Sequence, residues 1–209
     1  MYGISTALFA IIRTCFSNTL RGAKMMIIAG NRVKISITGD LGSGKSTVCR
    51  YLKEQYRFNV YSIGVIQRSL AEKYNMTTCD FNKYMEEHPE IDEEIDTTLT
   101  EIGKRDEDMI LDSRMAWHFV PDSYKVYLAV DNDTAVRRVL DDHRGSVETY
   151  SSFDDARCKL LERKTSENLR YRTKYGVDCA NLKNFDLIVD TTFISPPEVA
   201  EIIMEKYKR

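Results

Sequence analysis

An α/β architecture, one parallel sheet flanked by helices, is what three features of this chain predict. The first is an alternating, β-branched run, Val33 to Thr38, followed at once by the glycine-rich segment Gly39-Asp40-Leu41-Gly42-Ser43-Gly44-Lys45-Ser46. The second is helical spacing directly after it, where Val48, Tyr51, Leu52 and Tyr56 recur within Lys45 to Arg57. The third is the alternation of apolar runs and helical patterns through the rest of the chain, as in a doubly wound sheet.

Taken in order, strands are expected at Phe58 to Tyr61, Asp108 to Leu111, Lys125 to Val130 and Asp186 to Val189. Thr77 followed by Asp80 marks a helix start, and Ser195-Pro196-Pro197-Glu198 combines an N-cap, proline at the first helical position and an acid at the third. Between Glu86 and Glu107 the chain is strongly acidic, with Ile91, Ile95, Leu99 and Ile102 at three- and four-residue spacing. That pattern predicts a solvated amphipathic helix whose early acids favour the macrodipole. The charge run Asp131 to Asp142 is expected to be the exposed face of another, and Trp117 reads as a core residue rather than a base-stacking one.

With 209 residues, 43% apolar and 30% charged, the chain suits a single domain with a sizeable core. Thirty basic against 32 acidic residues leave a net charge of −2, so no overall field draws nucleic acid or a membrane surface. Five scattered cysteines (Cys15, Cys49, Cys79, Cys158, Cys179) without a C-x-x-C pair, and three histidines, suggest neither a zinc site nor a disulfide framework. Reduced thiols in the cytoplasm are the expectation. The apolar run Ile4 to Ile12 falls far short of the roughly 20 residues that span a bilayer and lacks a preceding basic residue. Residues 1–31 are therefore expected to be a poorly ordered extension, with Met25 or Met26 as the working start, and 32–209 the domain.

The glycine-rich segment fits the phosphate-loop template G-x-x-x-x-G-K-[S/T] at every fixed position. Its glycines let backbone N–H groups point into one anion-sized cradle. Lys45 then reaches the β- and γ-phosphates, the Ser46 hydroxyl ligates Mg²⁺, and the following helix N-terminus adds a favourable dipole. ATP with Mg²⁺ is the expected ligand, held by Gly39, Asp40, Leu41, Gly42, Ser43, Gly44, Lys45, Ser46 and Thr47, in a P-loop NTPase fold. Asp112, at the end of an expected strand, is placed either to complete the magnesium shell or to cap a turn. Arg114, two residues on, is either a surface arginine or the planar guanidinium that bidentate phosphate recognition needs near the same crevice.

Three further stretches share a pattern: Ser62-Ile63-Gly64-Val65-Ile66-Gln67-Arg68, Leu111-Asp112-Ser113-Arg114 and Arg163-Lys164-Thr165-Ser166-Glu167-Asn168-Leu169-Arg170-Tyr171. With the acidic run Pro89 to Asp96 and Tyr175-Gly176-Val177-Asp178, the chain resembles the nucleoside monophosphate kinases, and more closely the short, archaeal-type cytidylate kinases. The resemblance runs from about Arg32 to Lys206. It implies transfer of phosphoryl from ATP to CMP or dCMP, with a monophosphate-binding insert at about 61–105 and a lid at about 140–165. It assigns substrate binding to Ser62, Gly64, Arg68 and Arg114. Lys45, Asp112, Arg163 and Arg170 become the catalytic set, with Arg138 and Arg144 as further lid candidates. Val65 and Ile63 depart from the residues common in relatives, which leaves the acceptor base open.

Arg163 and Arg170 lie two helical turns apart, so both can face one cleft, unless they form exposed pairs with Glu162 and Glu167. Two other readings stand beside the kinase of nucleotides. One is a small-metabolite kinase acting on shikimate or dephospho-coenzyme A, of which Arg68 with Arg114 disfavours shikimate. The other is a nucleotide-binding regulatory module, against which the arginine set and the absence of an Asn-Lys-x-Asp segment argue. The expected partner is a small-molecule substrate, with no nucleic acid and no membrane, and the expected assembly a monomer.

Overall fold

β1 (Lys34–Gly39) is the middle strand of the sheet and leads through the glycine-rich turn into α1 (Lys45–Tyr56). β2 (Asn59–Ser62) follows, then three helices, α2 (Ile63–Lys73), α3 (Thr78–Glu87) and α4 (Pro89–Gly103). β3 (Met109–Asp112), the short α5 (Ala116–Phe119) and β4 (Tyr124–Ala129) come next. The chain ends with α6 (Asn132–Asp141), the 23-residue α7 (Phe153–Tyr175), a 3₁₀ turn, β5 (Leu187–Asp190) and α8 (Pro196–Tyr207). This is a computed structural model that describes residues 32–142 and 150–207; the N-terminal extension, Arg144 and most of the segment 142–151 lie outside the described residues.

Among the described residues the five strands pair in parallel in the order β2-β3-β1-β4-β5. The chain leaves β1 toward one edge and later toward the other, so β1 marks the switch point at whose carboxyl end α/β proteins bind ligands. Register brings the functional strand ends level, Ser62 beside Asp112 and Asp112 beside Ile37. Each expected strand lies within one residue of its observed limits.

Ile35 and Ile37 of β1 point to one face, where Leu52 of α1, Ile110, Val126 and Ile203 of α8 complete a core cluster. The alternating polar residues are buried too: Ser36 and Thr38 are both 0% exposed. Alternation here does not mean a wet face. Thr38 Oγ1 donates to the Ser113 carbonyl at 2.8 Å and Ser123 Oγ donates to Ser36 Oγ at 3.0 Å, which satisfies both hydroxyls inside the protein.

Thr77 caps α3 by accepting from Asp80 N, and Asp131 caps α6 by accepting from Asp133 N and Thr134 N. The acidic stretch is two helices rather than one. Pro89 has no N–H to continue α3, and it forces His88 out of the helical region to φ −126°, ψ 67°. Ile91, Ile95, Leu99 and Ile102 are buried as their spacing predicts, in a cluster with Ile66, Leu70, Phe81 and Met85 from α2 and α3. The acids of α4 are not simply solvated, however: Asp92 is 4% exposed, against α7. Trp117 is in the core, stacked edge-on to Phe185 with its Nε1 donating to the Arg114 carbonyl at 2.9 Å. Among the described residues no helix is long and apolar enough to cross a membrane.

Candidate active site

The glycine-rich turn has the backbone its sequence requires. Gly42 and Gly44 adopt φ +77° and +81°, and a Cβ on Gly42 would meet the Ala135 carbonyl oxygen at 2.6 Å. At Gly44 the same test meets nothing within 4 Å, so there it is the positive φ rather than crowding that favours glycine. Gly44 is also the N-cap of α1 and has no side chain to cap it, which leaves the N–H groups of the first turn for an anion.

Lys45 Nζ folds back onto the turn, donating to the carbonyls of Gly39 at 3.1 Å and Asp40 at 3.2 Å. Burial first and Arg114 second lower its ammonium, with Asp112 opposing them, and the balance lies at about 8. Leu41, Ser43 and Ser46 line the same cleft. Ser43 Oγ is buried without a hydrogen-bond partner among the described residues. Thr47 opens onto the neighbouring cleft between α1, α6 and the turn after β5, with Arg50 and Arg138. The Asp40 carboxylate instead takes the Tyr127 hydroxyl at 3.0 Å and pairs with Lys164 of α7 at 2.8 Å.

Across the cleft, Asp112 ends β3 and Ser62 Oγ donates to its Oδ2 at 2.7 Å, fixing the carboxylate's rotamer. Gly64 and Arg68 follow on the first turns of α2 and line the cleft, as does Gln67. A Cβ at Gly64 would stand 3.5 Å from Arg68 Nη1, an ordinary van der Waals contact, so Gly64 and Arg68 lie against each other. Val65 is 44% exposed and Ile63 is core.

Arg114 is 13% exposed by its side chain, and its Nε pairs with Glu167 Oε2 at 2.5 Å. Its Nη2 is buried and has no hydrogen-bond partner among the described residues. Arg163 sends its Nε to the other oxygen of Glu167 at 2.9 Å. Burial alone raises the Glu167 carboxyl, but Arg114 and Arg163 outweigh it and hold the group at about 2. The expected alternative for Arg163, an exposed pair with Glu167, is half met: the pair exists, and it is buried.

Arg170 lies elsewhere. Its Nε faces Asp92 at 3.1 Å, its Nη1 donates to the Asn82 carbonyl at 3.2 Å, and it does not line the cleft. Seven residues put Arg163 and Arg170 on one stripe of α7, but that spacing also separates them by about 10.5 Å along the axis. The first reaches the cleft and the second reaches α3 and α4. Arg138 is likewise bound, donating to the Thr191 carbonyl at 2.7 Å beside the glycine-rich turn. Sequence reasoning missed Glu167 as a site residue, and with it Gln67, Lys164 and Tyr171. The one signal was a carboxylate set four residues from Arg163 within a basic segment, which on an exposed helix means little.

Sheet order, phosphate loop and arginine cluster together define a P-loop phosphotransferase. A family model described as an AAA domain matches residues 35–162. The cytidylate kinase of Thermoplasma acidophilum is 34% identical over 175 residues, covering 83% of this chain and 92% of that protein. The chain belongs to this family, in its branch of cytidylate-kinase-like nucleoside monophosphate kinases. An S-adenosylmethionine-dependent nucleotide dehydratase from Lacinutrix mariniflava is 32% identical over 180 residues, 85% of this chain but 36% of that longer protein. Among solved structures, a shikimate kinase from Bacteroides thetaiotaomicron superposes with a TM-score of 0.56 at 15% identity, covering 85% of this chain and 99% of that one, a likeness of fold.

Proposed function

We propose that this chain transfers the γ-phosphoryl group of ATP to CMP or dCMP, giving CDP or dCDP. The observation that carries the reading is the Arg114 guanidinium, whose buried Nη2 lacks a partner in the cleft that also holds Lys45, Arg68 and Arg163. An unpaired buried donor is costly unless a ligand meets it, and a phosphate oxygen is the acceptor that suits it. The choice of CMP rests on the likeness to cytidylate kinases.

In this reading the glycine-rich turn and α1 N-terminus hold the donor phosphates, with Gly39 to Thr47 around them. Ser46 and Asp112 both line the cleft with hard oxygen atoms and would hold Mg²⁺, which when bound neutralises charge on the donor phosphates. Ser62, by holding Asp112, keeps the carboxylate in place. Arg68 and Arg114 grip the acceptor phosphate, with Gly64 giving access, and the helices between β2 and β3 serve as the monophosphate-binding insert. Lys45 and Arg163 stabilise the charge that spreads over the phosphoryl oxygens as the acceptor oxygen displaces the β-phosphate. In this reading the enzyme acts as a monomer in the cytoplasm, which supplies the ATP.

A coupled ADP-release assay with MgATP and CMP, dCMP, UMP, AMP, GMP, dTMP, dephospho-coenzyme A and shikimate tests it. Turnover restricted to CMP or dCMP supports the proposal. Turnover with dephospho-coenzyme A alone moves the acceptor to another phosphate-bearing metabolite. ATP binding with no acceptor used overturns the kinase reaction.

A further inference from the structure

Glu167 is an odd residue to find in a site for anions. It is 2% exposed, and both of its oxygens face guanidinium groups that line the cleft, Oε2 toward Arg114 Nε at 2.5 Å and Oε1 toward Arg163 Nε at 2.9 Å. A buried carboxylate beside phosphates repels them, and a site built only for tight binding is better without it. Its worth must lie in geometry.

Each ion pair is closest at the arginine's Nε: Arg163 Nε donates to Oε1, while Oε2 lies against Arg114 Nε without a hydrogen-bond partner among the described residues. In Arg114, approached at that edge, the buried Nη2 is unpartnered among the described residues and is left for another acceptor. One rigid carboxylate on a 23-residue helix thus aligns two arginines from different parts of the fold, one after β3 and one on α7. Donors fixed before charge develops lower the barrier, whereas donors that merely attract anions bind substrate and transition state alike. The acid also balances the cations: Lys45, Arg114 and Arg163 crowd one another, and Glu167 offsets them.

Resting on the phosphoryl-transfer reading above, we propose that Glu167 is a positioning residue. It holds Arg114 and Arg163 by their Nε edges so that both meet the phosphoryl group in transfer, at the expense of affinity for ground-state phosphate.

The test compares wild-type enzyme with Glu167→Gln, which keeps the shape and removes the charge. Two quantities are read: the Kd for inorganic phosphate by calorimetry, which needs no acceptor, and kcat with KM for the preferred acceptor. We expect the variant to bind phosphate as tightly as wild type or several-fold tighter, while kcat falls at least tenfold and acceptor KM moves less than threefold. Parallel weakening of phosphate affinity and kcat, or kcat within threefold of wild type, overturns the proposal. If circular dichroism shows Glu167→Gln unfolded, Glu167→Asp decides, since it keeps the charge but is too short to reach both arginines. A tenfold kcat loss at unchanged phosphate affinity supports positioning, while wild-type kcat, or loss of fold here too, overturns it. Wild-type enzyme that turns over no acceptor sinks the reaction assignment before any variant is read.

Discussion

Arg170 of α7 and Asp92 of α4 face each other at 3.1 Å, and each side chain is 5% exposed. The contact ties the long helix to the insert, where Lys174 Nζ also donates to the Pro89 carbonyl at 2.9 Å and the Tyr175 hydroxyl meets Asp96. Removing one partner of a buried ion pair strands the other as an uncompensated charge, at roughly 3–5 kcal/mol. Arg170→Ala is therefore expected to lower the urea midpoint strongly. Its kcat, measured where the variant remains folded, should fall less than that of Arg163→Ala. An unchanged midpoint with lost turnover would return Arg170 to the catalytic set.

Lys45→Ala removes the cation that the glycine-rich turn holds against its own carbonyls at 3.1 and 3.2 Å. Its loss removes a cation that burial disfavours, so the fold should survive, with a thermal midpoint at or above wild type. Turnover should fall by at least ~10²-fold, the scale at which one preorganised electrostatic donor contributes to catalysis. Near-normal activity by ADP release would refute the phosphate-loop assignment.

Much of this was legible in the chain because local chemistry dictated it. The glycines at 42 and 44, the Thr77 cap and the isoleucine ladder of α4 each depend on residues within one or two turns, and the sheet follows from its apolar runs. What was not legible depends on partners far away in sequence. Spacing alone could not tell that the acids of α4 face α7, that Arg170 is drawn to Asp92, 78 positions earlier, or that Glu167 joins two arginines 49 positions apart. The break at Pro89 is absent from the expected single helix because that expectation rests on the spacing of Ile91, Ile95, Leu99 and Ile102, all of which follow the proline.

Arg114→Ala should raise the acceptor KM more than the ATP KM, because it removes a charged hydrogen bond worth about 1.5–3 kcal/mol to the acceptor phosphate. The structure adds a second expectation. Glu167 then keeps only Arg163 of its two close partners, so kcat should drop as well and the thermal midpoint should fall. Equal effects on both substrates in steady-state kinetics would place Arg114 with the donor or the fold instead.

Asp96 gives a pH signature. Burial raises its carboxyl from 3.8 to about 6, the Tyr175 hydroxyl and, more weakly, Lys174 and Arg170 oppose the rise, and Asp92 adds to it. Between those two pH values the folded state binds more protons than the unfolded chain. Stability contributed by this group is therefore fully present below about 3.8 and is lost as pH rises through about 6. Asp96→Asn carries no such titration, and its amide oxygen can still accept from Tyr175. The variant should melt higher than wild type at pH 7 to 8, with the gap closing on acidification. A thermal-melt series across that range checks this; a wild-type advantage at pH 8 would mean that the ionised carboxylate, held by Tyr175 and the nearby cations, stabilises the contact between α4 and α7.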